Sequence, residues 1–249
     1  MVFLTDIDKT LIFSKAARSD VLPIAYYRGK VTNYMTVTAV QLLQQLSERV
    51  QLVPVTSRSI AELNRIELIS ATKYAIVDNG GTILEDGNIH MPWCNMVNQD
   101  LKNYDLGYAK KVFSNIPENI SAPAIVDGRF IFCKSNYDEK ARRDYLEGIL
   151  GFMYKIYIDG IRTYAIPKPI NKLRACKYLC EEILKEQPTF AAGDDFPDLE
   201  MLQYASIGLI PAGSELAKSD KSANLLQLGK GGVDSSESIL RCVLEYINA

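Results

Sequence analysis

Thr5-Asp6-Ile7-Asp8-Lys9-Thr10 follows directly on the apolar run Val2-Phe3-Leu4. The run reads as a buried strand of a parallel sheet. In such sheets functional groups collect just beyond the carboxyl ends of the strands, which is where Asp6, Asp8 and Thr10 would emerge. Carboxylates two residues apart in extended chain project the same way and repel. They are stable together only with a cation or a proton between them. Taken alone, the hexapeptide reads equally well as a polar strand end leading into a capped turn. The rest of the chain has to break that tie.

Composition narrows the field. A chain of 249 residues with a formal net charge of −2 has room for one large α/β domain, or for a core with a smaller second domain. Its lysines and arginines are dispersed, so no nucleic-acid surface is expected. The start is interrupted by Asp6 and Asp8 too early for a secretory signal, and no apolar run would span a bilayer. A cytoplasmic protein, monomeric or homodimeric, is the expectation. Cys94, Cys133, Cys176, Cys180 and Cys242 lack zinc-type spacing and are odd in number, against a disulfide framework. Cys176 and Cys180 fit the apolar face of one helix, as buried thiols. With His90 as the sole histidine and no nucleophile elbow, a Ser-His-Asp triad is not expected.

Along the chain, Phe13 to Tyr34 lacks clean periodicity, and Arg28-Gly29-Lys30 reads as the turn of a hairpin or flap placed to bring Arg28 or Lys30 toward an anion. Val37, Val40, Leu43 and Leu46 then recur at helical spacing, with Thr36 as cap. A second strand, Val50 to Thr56, ends on a hydroxyl and leads through Ser57-Arg58 into a helix carrying Leu63, Ile66 and Ile69. Thr56 or Ser57 would cap that helix, and free amides at a helix start suit an anion. A third strand, Tyr74 to Val77, stops at Asp78-Asn79-Gly80-Gly81.

The rhythm changes from there to Ala165. Hairpins turn at Asp86-Gly87, Asp127-Gly128 and Asp159-Gly160, with helices near Leu101 to Phe113 and Glu139 to Leu150. This predicts an α+β insert, residues 80–166, between core segments 1–79 and 167–249. Arg129, Lys134 and Arg162 in its hairpins are candidate substrate contacts, each read more simply as a solvated surface charge. Alternation then resumes. A helix holds Leu173, Cys176, Leu179 and Cys180, and a strand Thr189 to Ala192 ends on Gly193-Asp194-Asp195-Phe196-Pro197-Asp198. Strands at Ile207 to Ile210 and Leu225 to Leu228 and a terminal helix complete a doubly wound, mostly parallel sheet. Gly229-Lys230-Gly231-Gly232 lacks the spacing of a phosphate loop and reads as a turn.

Asp6 with Asp8, Thr56, Lys172, and Asp194 with Asp198 would converge along one edge of that sheet. Carboxylates without histidine select a hard, oxygen-loving cation, most simply Mg²⁺, whose remaining partner is phosphate. The four motifs, in this order and with the insert between the second and third, resemble the haloacid dehalogenase superfamily with a type-two cap, in its sucrose-phosphatase-like and Cof-like branch. The resemblance covers essentially the whole chain.

It implies a Mg²⁺-dependent phosphatase acting on a small phosphorylated metabolite, such as a sugar phosphate, through an aspartyl-phosphate. Asp6 would be the nucleophile and Asp8 the acid and base. Thr56 and Lys172 would grip the phosphoryl group. Asp6, the Asp8 carbonyl, Asp194 and Asp198 would hold the metal, with Asp195 the rival to Asp198. Thr10, Ser57, Arg58 and Asn79 would line the substrate side. Three positions depart from the family pattern: Lys9 and Ser57 stand where glycine is usual, and Pro197 where asparagine is usual. A phosphomutase of the phosphomannomutase type and a catalytically silent binding protein on the same fold are the alternative functions.

Overall fold

The structure, a computed structural model, describes residues 1–219, 222–229 and 231–249. Lys230, in the glycine-rich turn noted above, lies outside the described residues. In chain order the elements are β1 (Val2–Thr5), β2 (Val21–Tyr27), β3 (Lys30–Thr36), α1 (Val37–Ser47), β4 (Gln51–Pro54), α2 (Ile60–Leu63), α3 (Glu67–Ser70), β5 (Tyr74–Val77), β6 (Thr82–Glu85) and β7 (Asn88–Ile89). Next come α4 (Met91–Asp100), α5 (Leu106–Ser114), β8 (Ala124–Val126), β9 (Phe130–Lys134), α6 (Glu139–Leu150), β10 (Tyr154–Asp159) and β11 (Arg162–Pro167). The chain ends with α7 (Lys172–Lys177), a π-helical continuation Tyr178–Leu184, β12 (Pro188–Ala192), α8 (Leu199–Tyr204), β13 (Ile207–Pro211), α9 (Glu215–Ser219), β14 (Leu225–Leu228) and α10 (Asp234–Asn248). No helix among the described residues is long and apolar enough to cross a membrane.

The chain divides into two compact units, Met1–His90 with Lys172–Ala249, and Met91–Asn171. In the first, a parallel sheet runs β14-β13-β12-β1-β4, and a parallel bridge between Val55 and Ile76 carries it on to β5. Counting these strands by appearance, the spatial order is 3-2-1-4-5-6, the doubly wound order, with its reversal between β1 and β12. That reversal lies where Asp6 sits: its N–H donates to the Ala192 carbonyl at 2.8 Å.

Burial explains why β1 is central. All four of its residues are buried, as expected for a strand covered on both faces. Phe3 joins a cluster with Ala39, Leu43 and Leu46 of α1 and Ile239, Leu240 and Val243 of α10. Val2 and Leu4 alternate with it and point the other way. Thr36 caps α1 as expected, accepting from the Ala39 N–H at 3.0 Å.

Several local expectations are corrected. The hairpin β6–β7 pairs with β5 and stays with the first unit rather than opening the insert. The helix expected to carry Leu63, Ile66 and Ile69 is two single turns, α2 and α3, with Asn64 ending the first. All three residues are buried nonetheless, because a spacing of three also fits successive separate turns. Ser59, not Thr56 or Ser57, caps α2, in a reciprocal box with Glu62. Residues Met91–Asp100, which precede the helix expected near Leu101 to Phe113, form a helix of their own, α4. Pro92 at its start was the missed signal, since proline is favoured in a first helical turn.

In the second unit α5 and α6 cover one face of an antiparallel sheet of order β10-β11-β9-β8, burying Phe113, Ile131, Cys133, Leu146 and Ala165. Arg142 of α6, 3% exposed, reaches across to the β10–β11 hairpin. It donates to Thr163 Oγ1 at 2.6 Å, the Gly160 carbonyl at 2.6 Å and the Ile161 carbonyl at 3.3 Å. Replacing it with methionine keeps the stem but strands those acceptors. Arg142→Met is expected to cost about 2–4 kcal/mol, read as a lowered urea midpoint at unchanged slope. An unchanged midpoint would mean that water replaces the guanidinium at no cost.

Candidate active site

Asp6 stands at the first residue beyond β1, 6% exposed. Lys172, which opens α7, is 5% exposed and donates to Asp6 Oδ1 at 2.7 Å and to Asp198 Oδ1 at 2.6 Å. Asp194, two residues beyond β12, completes the group: carboxylate oxygens of Asp6, Asp194 and Asp198 lie within 4.8 Å of one another. Thr10 Oγ1 makes a long 3.4 Å contact with Asp194 Oδ1. Residues as far apart as 6 and 198 thus share one cluster at the sheet's reversal point, as the strand order requires.

The loop after β12 is built for close approach. Asp198 Oδ2 accepts from the N–H groups of Asp194 and Asp195, at 3.2 and 3.3 Å. Asp195 instead turns its Oδ1 to the Phe196 N–H at 2.7 Å, which leaves Asp198 as the cluster member. Pro197 falls in the first turn of the short helix Phe196–Asp198, where its fixed φ is suited. A Cβ on Gly193 would lie 2.5 Å from Asp198 Cβ and 2.8 Å from its Oδ2. Gly193→Ala therefore has to push Asp198 off Lys172. We expect a loss of about 10–100-fold in activity or metal affinity, of the size seen when partners of a metal site are displaced. Wild-type values in that variant would mean the loop gives way without moving Asp198.

Electrostatics in the cluster is dominated by burial. Burial, opposed by Lys172 and reinforced by Asp198, raises the proton affinity of Asp6 above the ordinary carboxylate value. Burial, then the Asp6 and Asp198 charges, raises that of Asp194. For Lys172 burial works against the charge, but Asp198 and Asp6 outweigh it and hold the ammonium above its ordinary value. Three carboxylates thus face one ammonium, an excess of negative charge that a divalent cation would neutralise. An all-oxygen donor set without histidine or thiolate suits Mg²⁺. The residues present therefore fit that ion.

The second junction supplies a rigid frame. Thr56 is 1% exposed, its N–H donates to the Ile76 carbonyl at 2.8 Å, and its Oγ1 accepts from the Arg58 N–H at 3.1 Å. Asn79, in the left-handed region at φ 57°, donates its N–H to the Thr56 carbonyl at 3.0 Å. Ser57 is half-buried in this turn. Lys9 also has a left-handed φ, 60°, a conformation that glycine adopts freely. Its side chain is exposed.

Arg58 and Asp8 depart most from expectation. Arg58 Nε donates to Asp8 Oδ2 at 2.6 Å and Nη2 to Asp8 Oδ1 at 2.7 Å, so the guanidinium expected on substrate is committed to the second aspartate. The Asp8 carboxylate accordingly stands in that pair rather than in the carboxylate cluster. Arg28 and Lys30 are exposed, and Arg28 lies over its neighbour Tyr27, 5.2 Å from the ring centre. Arg129 is not a solvated charge: it is 6% exposed and donates to Asn98 Oδ1 at 2.6 Å and Cys94 Sγ at 3.0 Å. Arg162 does lie at the surface, 3.3 Å from Asp159. Cys176 and Cys180 are buried and free, and burial raises both thiols, against a redox pair.

No protein-family model matches the chain, and no curated protein matches it by sequence. Solved structures do. The sucrose-phosphatase of Synechocystis, solved with sucrose and phosphate, superimposes with a TM-score of 0.73 at 12% identity, covering 99% of this chain and 98% of that one. The C-terminal domain of the trehalose-6-phosphate phosphatase of C. albicans gives 0.63 at 15% identity, over 96% and 91%. A phosphatase of the HAD superfamily from Bacteroides thetaiotaomicron gives 0.60 at 13% identity, over 100% and 95%. At such identities the likeness is one of fold.

Proposed function

We propose, from the premise that this chain has the haloacid dehalogenase fold in its sucrose-phosphatase-like form, that it hydrolyses phosphate monoesters of small metabolites, sugar phosphates foremost. One observation carries the reading: Asp6, Asp194 and Asp198 gather around Lys172 at the carboxyl ends of β1 and β12. Phosphoryl transfer needs positioning and charge neutralisation more than covalent machinery, and this cluster offers both.

Asp6 attacks phosphorus and takes the phosphoryl group as the bond to the leaving oxygen breaks. Asp8 gives its proton to that oxygen, then takes one from the water that attacks the aspartyl-phosphate, which restores Asp6 and frees inorganic phosphate. Lys172 fixes the rotamer of Asp6 and meets the phosphoryl oxygens. Thr56, held from both sides by Ile76 and Arg58, presents its hydroxyl to the same group. Asp6, Asp194, Asp198 and the Asp8 carbonyl would hold Mg²⁺, which when bound supplies positive charge against the phosphoryl oxygens.

The test is a panel of phosphorylated metabolites scored for released inorganic phosphate, with Mg²⁺ and then with excess chelator. Release with Mg²⁺ alone is the expected result. Transfer of phosphate to a second sugar hydroxyl without release would replace the hydrolase with a mutase. Absence of either reaction across the panel would leave the fold as a binding scaffold.

A further inference from the structure

We propose that Arg58 and Asn33 are positioning residues that aim the Asp8 carboxylate at the leaving oxygen, a proposal that rests on the hydrolase reading above. Arg58 approaches Asp8 side-on with two parallel hydrogen bonds of 2.6 and 2.7 Å, the geometry that fixes orientation as well as charge. Its Nη2 also donates to Asn33 Oδ1 at 3.1 Å, and its Nη1 reaches the Glu62 carbonyl at 3.5 Å. The backbone of Arg58 is pinned as well. Its N–H donates to Thr56 Oγ1, and its carbonyl accepts from the Asp78 N–H at 2.9 Å. The arginine side chain is 14% exposed, whereas that of Asp8 is 44% exposed. One partner is anchored and the other remains accessible, which is the asymmetry that a supported proton donor needs.

Asn33 is informative because of where it lies in β3. Asn33 and Met35 alternate as inward positions, and Asn33 is 6% exposed where an apolar side chain would be ordinary. The β2–β3 register steps on both sides of Ala25, the residue opposite Asn33. Bulges of this kind re-aim side chains beside functional sites. Here the irregular hairpin places an amide oxygen on the guanidinium and so restrains it at Nη2, beyond the backbone anchor. The hairpin that follows Asp8 in sequence thereby returns to hold Asp8 in space. The effect of Arg58 and Asn33 runs through the Asp8 carboxylate, and on the step that releases the leaving group it should grow with the basicity of the departing oxygen.

Phenyl phosphate and 4-nitrophenyl phosphate have nearly the same shape and differ in how much protonation the leaving oxygen needs. With Mg²⁺ present, Arg58→Met is expected to lower the ratio of kcat/KM on phenyl phosphate to kcat/KM on 4-nitrophenyl phosphate by at least about tenfold, because kcat/KM reports the step in which the leaving oxygen is protonated and not the later hydrolysis shared by both esters. Asn33→Leu should lower it in the same direction by about threefold, and Arg58→Lys should recover part of the ratio. In an Asp8→Asn background, Arg58→Met should add no further loss. Asn33→Leu leaves every backbone bond in place and keeps the test alive if the arginine variants fold poorly. Equal losses on both esters, or losses that add in the Asp8→Asn background, overturn the positioning role while leaving the hydrolase reading intact. A wild-type protein inactive on both esters and on the metabolite panel overturns that reading and this proposal together.

Discussion

Asp6→Asn is expected to lower turnover of the best phosphate ester by about 10⁴-fold or more, the scale on which loss of a nucleophile acts. The amide has the size of the carboxylate and can still accept from Lys172, which lies 2.7 Å from Oδ1. What it lacks is a charged oxygen to attack phosphorus. Because burial already opposes the Asp6 charge, removing that charge should leave the melting temperature unchanged or higher. The measurement is phosphate release under single-turnover and steady-state conditions, beside a thermal melt of each protein. A folded Asp6→Asn protein that releases phosphate at the wild-type rate would sink the nucleophile assignment, whatever the cluster looks like.

How much of this was legible in the chain follows from which signals are local. Strand ends that carry Asp6 and Asp194 could be read because apolar runs stop abruptly at them, and the 3-2-1-4-5-6 order then forces those ends together. The β8–β9 and β10–β11 hairpins were equally legible, since the glycine of each Asp-Gly turn, Gly128 and Gly160, takes the positive φ that a tight hairpin turn favours. The fate of long side chains was not legible. Arg58 reads as an anion ligand from its place after Thr56, yet its guanidinium is committed to Asp8, fifty positions earlier in the chain. Nothing local to residues 56–59 encodes that choice. Asn33 could have been flagged only by seeing it as a polar residue at an inward strand position, which required knowing that the segment was a strand. Which of Asp195 and Asp198 joins the carboxylate cluster likewise depends on a short helical turn, whose first N–H donates to the Asp195 side chain.

Asp194→Asn should separate the stability of the cluster from its use. A carboxyl whose proton affinity is raised in the folded state stabilises the fold fully below the ordinary value of 3.8, and this contribution is lost as pH climbs through the raised folded value. Asp194 is raised first by burial and next by the Asp6 and Asp198 charges. The metal-free wild type should therefore lose stability as pH rises from the acidic into the neutral range and above, and the asparagine variant should lose less. At pH 8 in chelator, Asp194→Asn is expected to be more stable than wild type by an amount on the order of 2–4 kcal/mol, given about 1.4 kcal/mol per pH unit of displaced titration. At pH 4 the two should melt together. Mg²⁺ reverses the ranking, because it binds the native cluster and stabilises by mass action only where the third carboxylate is present. Wild type should gain melting temperature with Mg²⁺, more at pH 8 than at pH 5, while the variant gains little and turns over little substrate. Melts in chelator and in Mg²⁺ at the three pH values decide the matter. An asparagine variant less stable than wild type at pH 8 in chelator would mean that Asp194 is held by partners that favour its charge. The excess of negative charge that points to a divalent cation would then not exist.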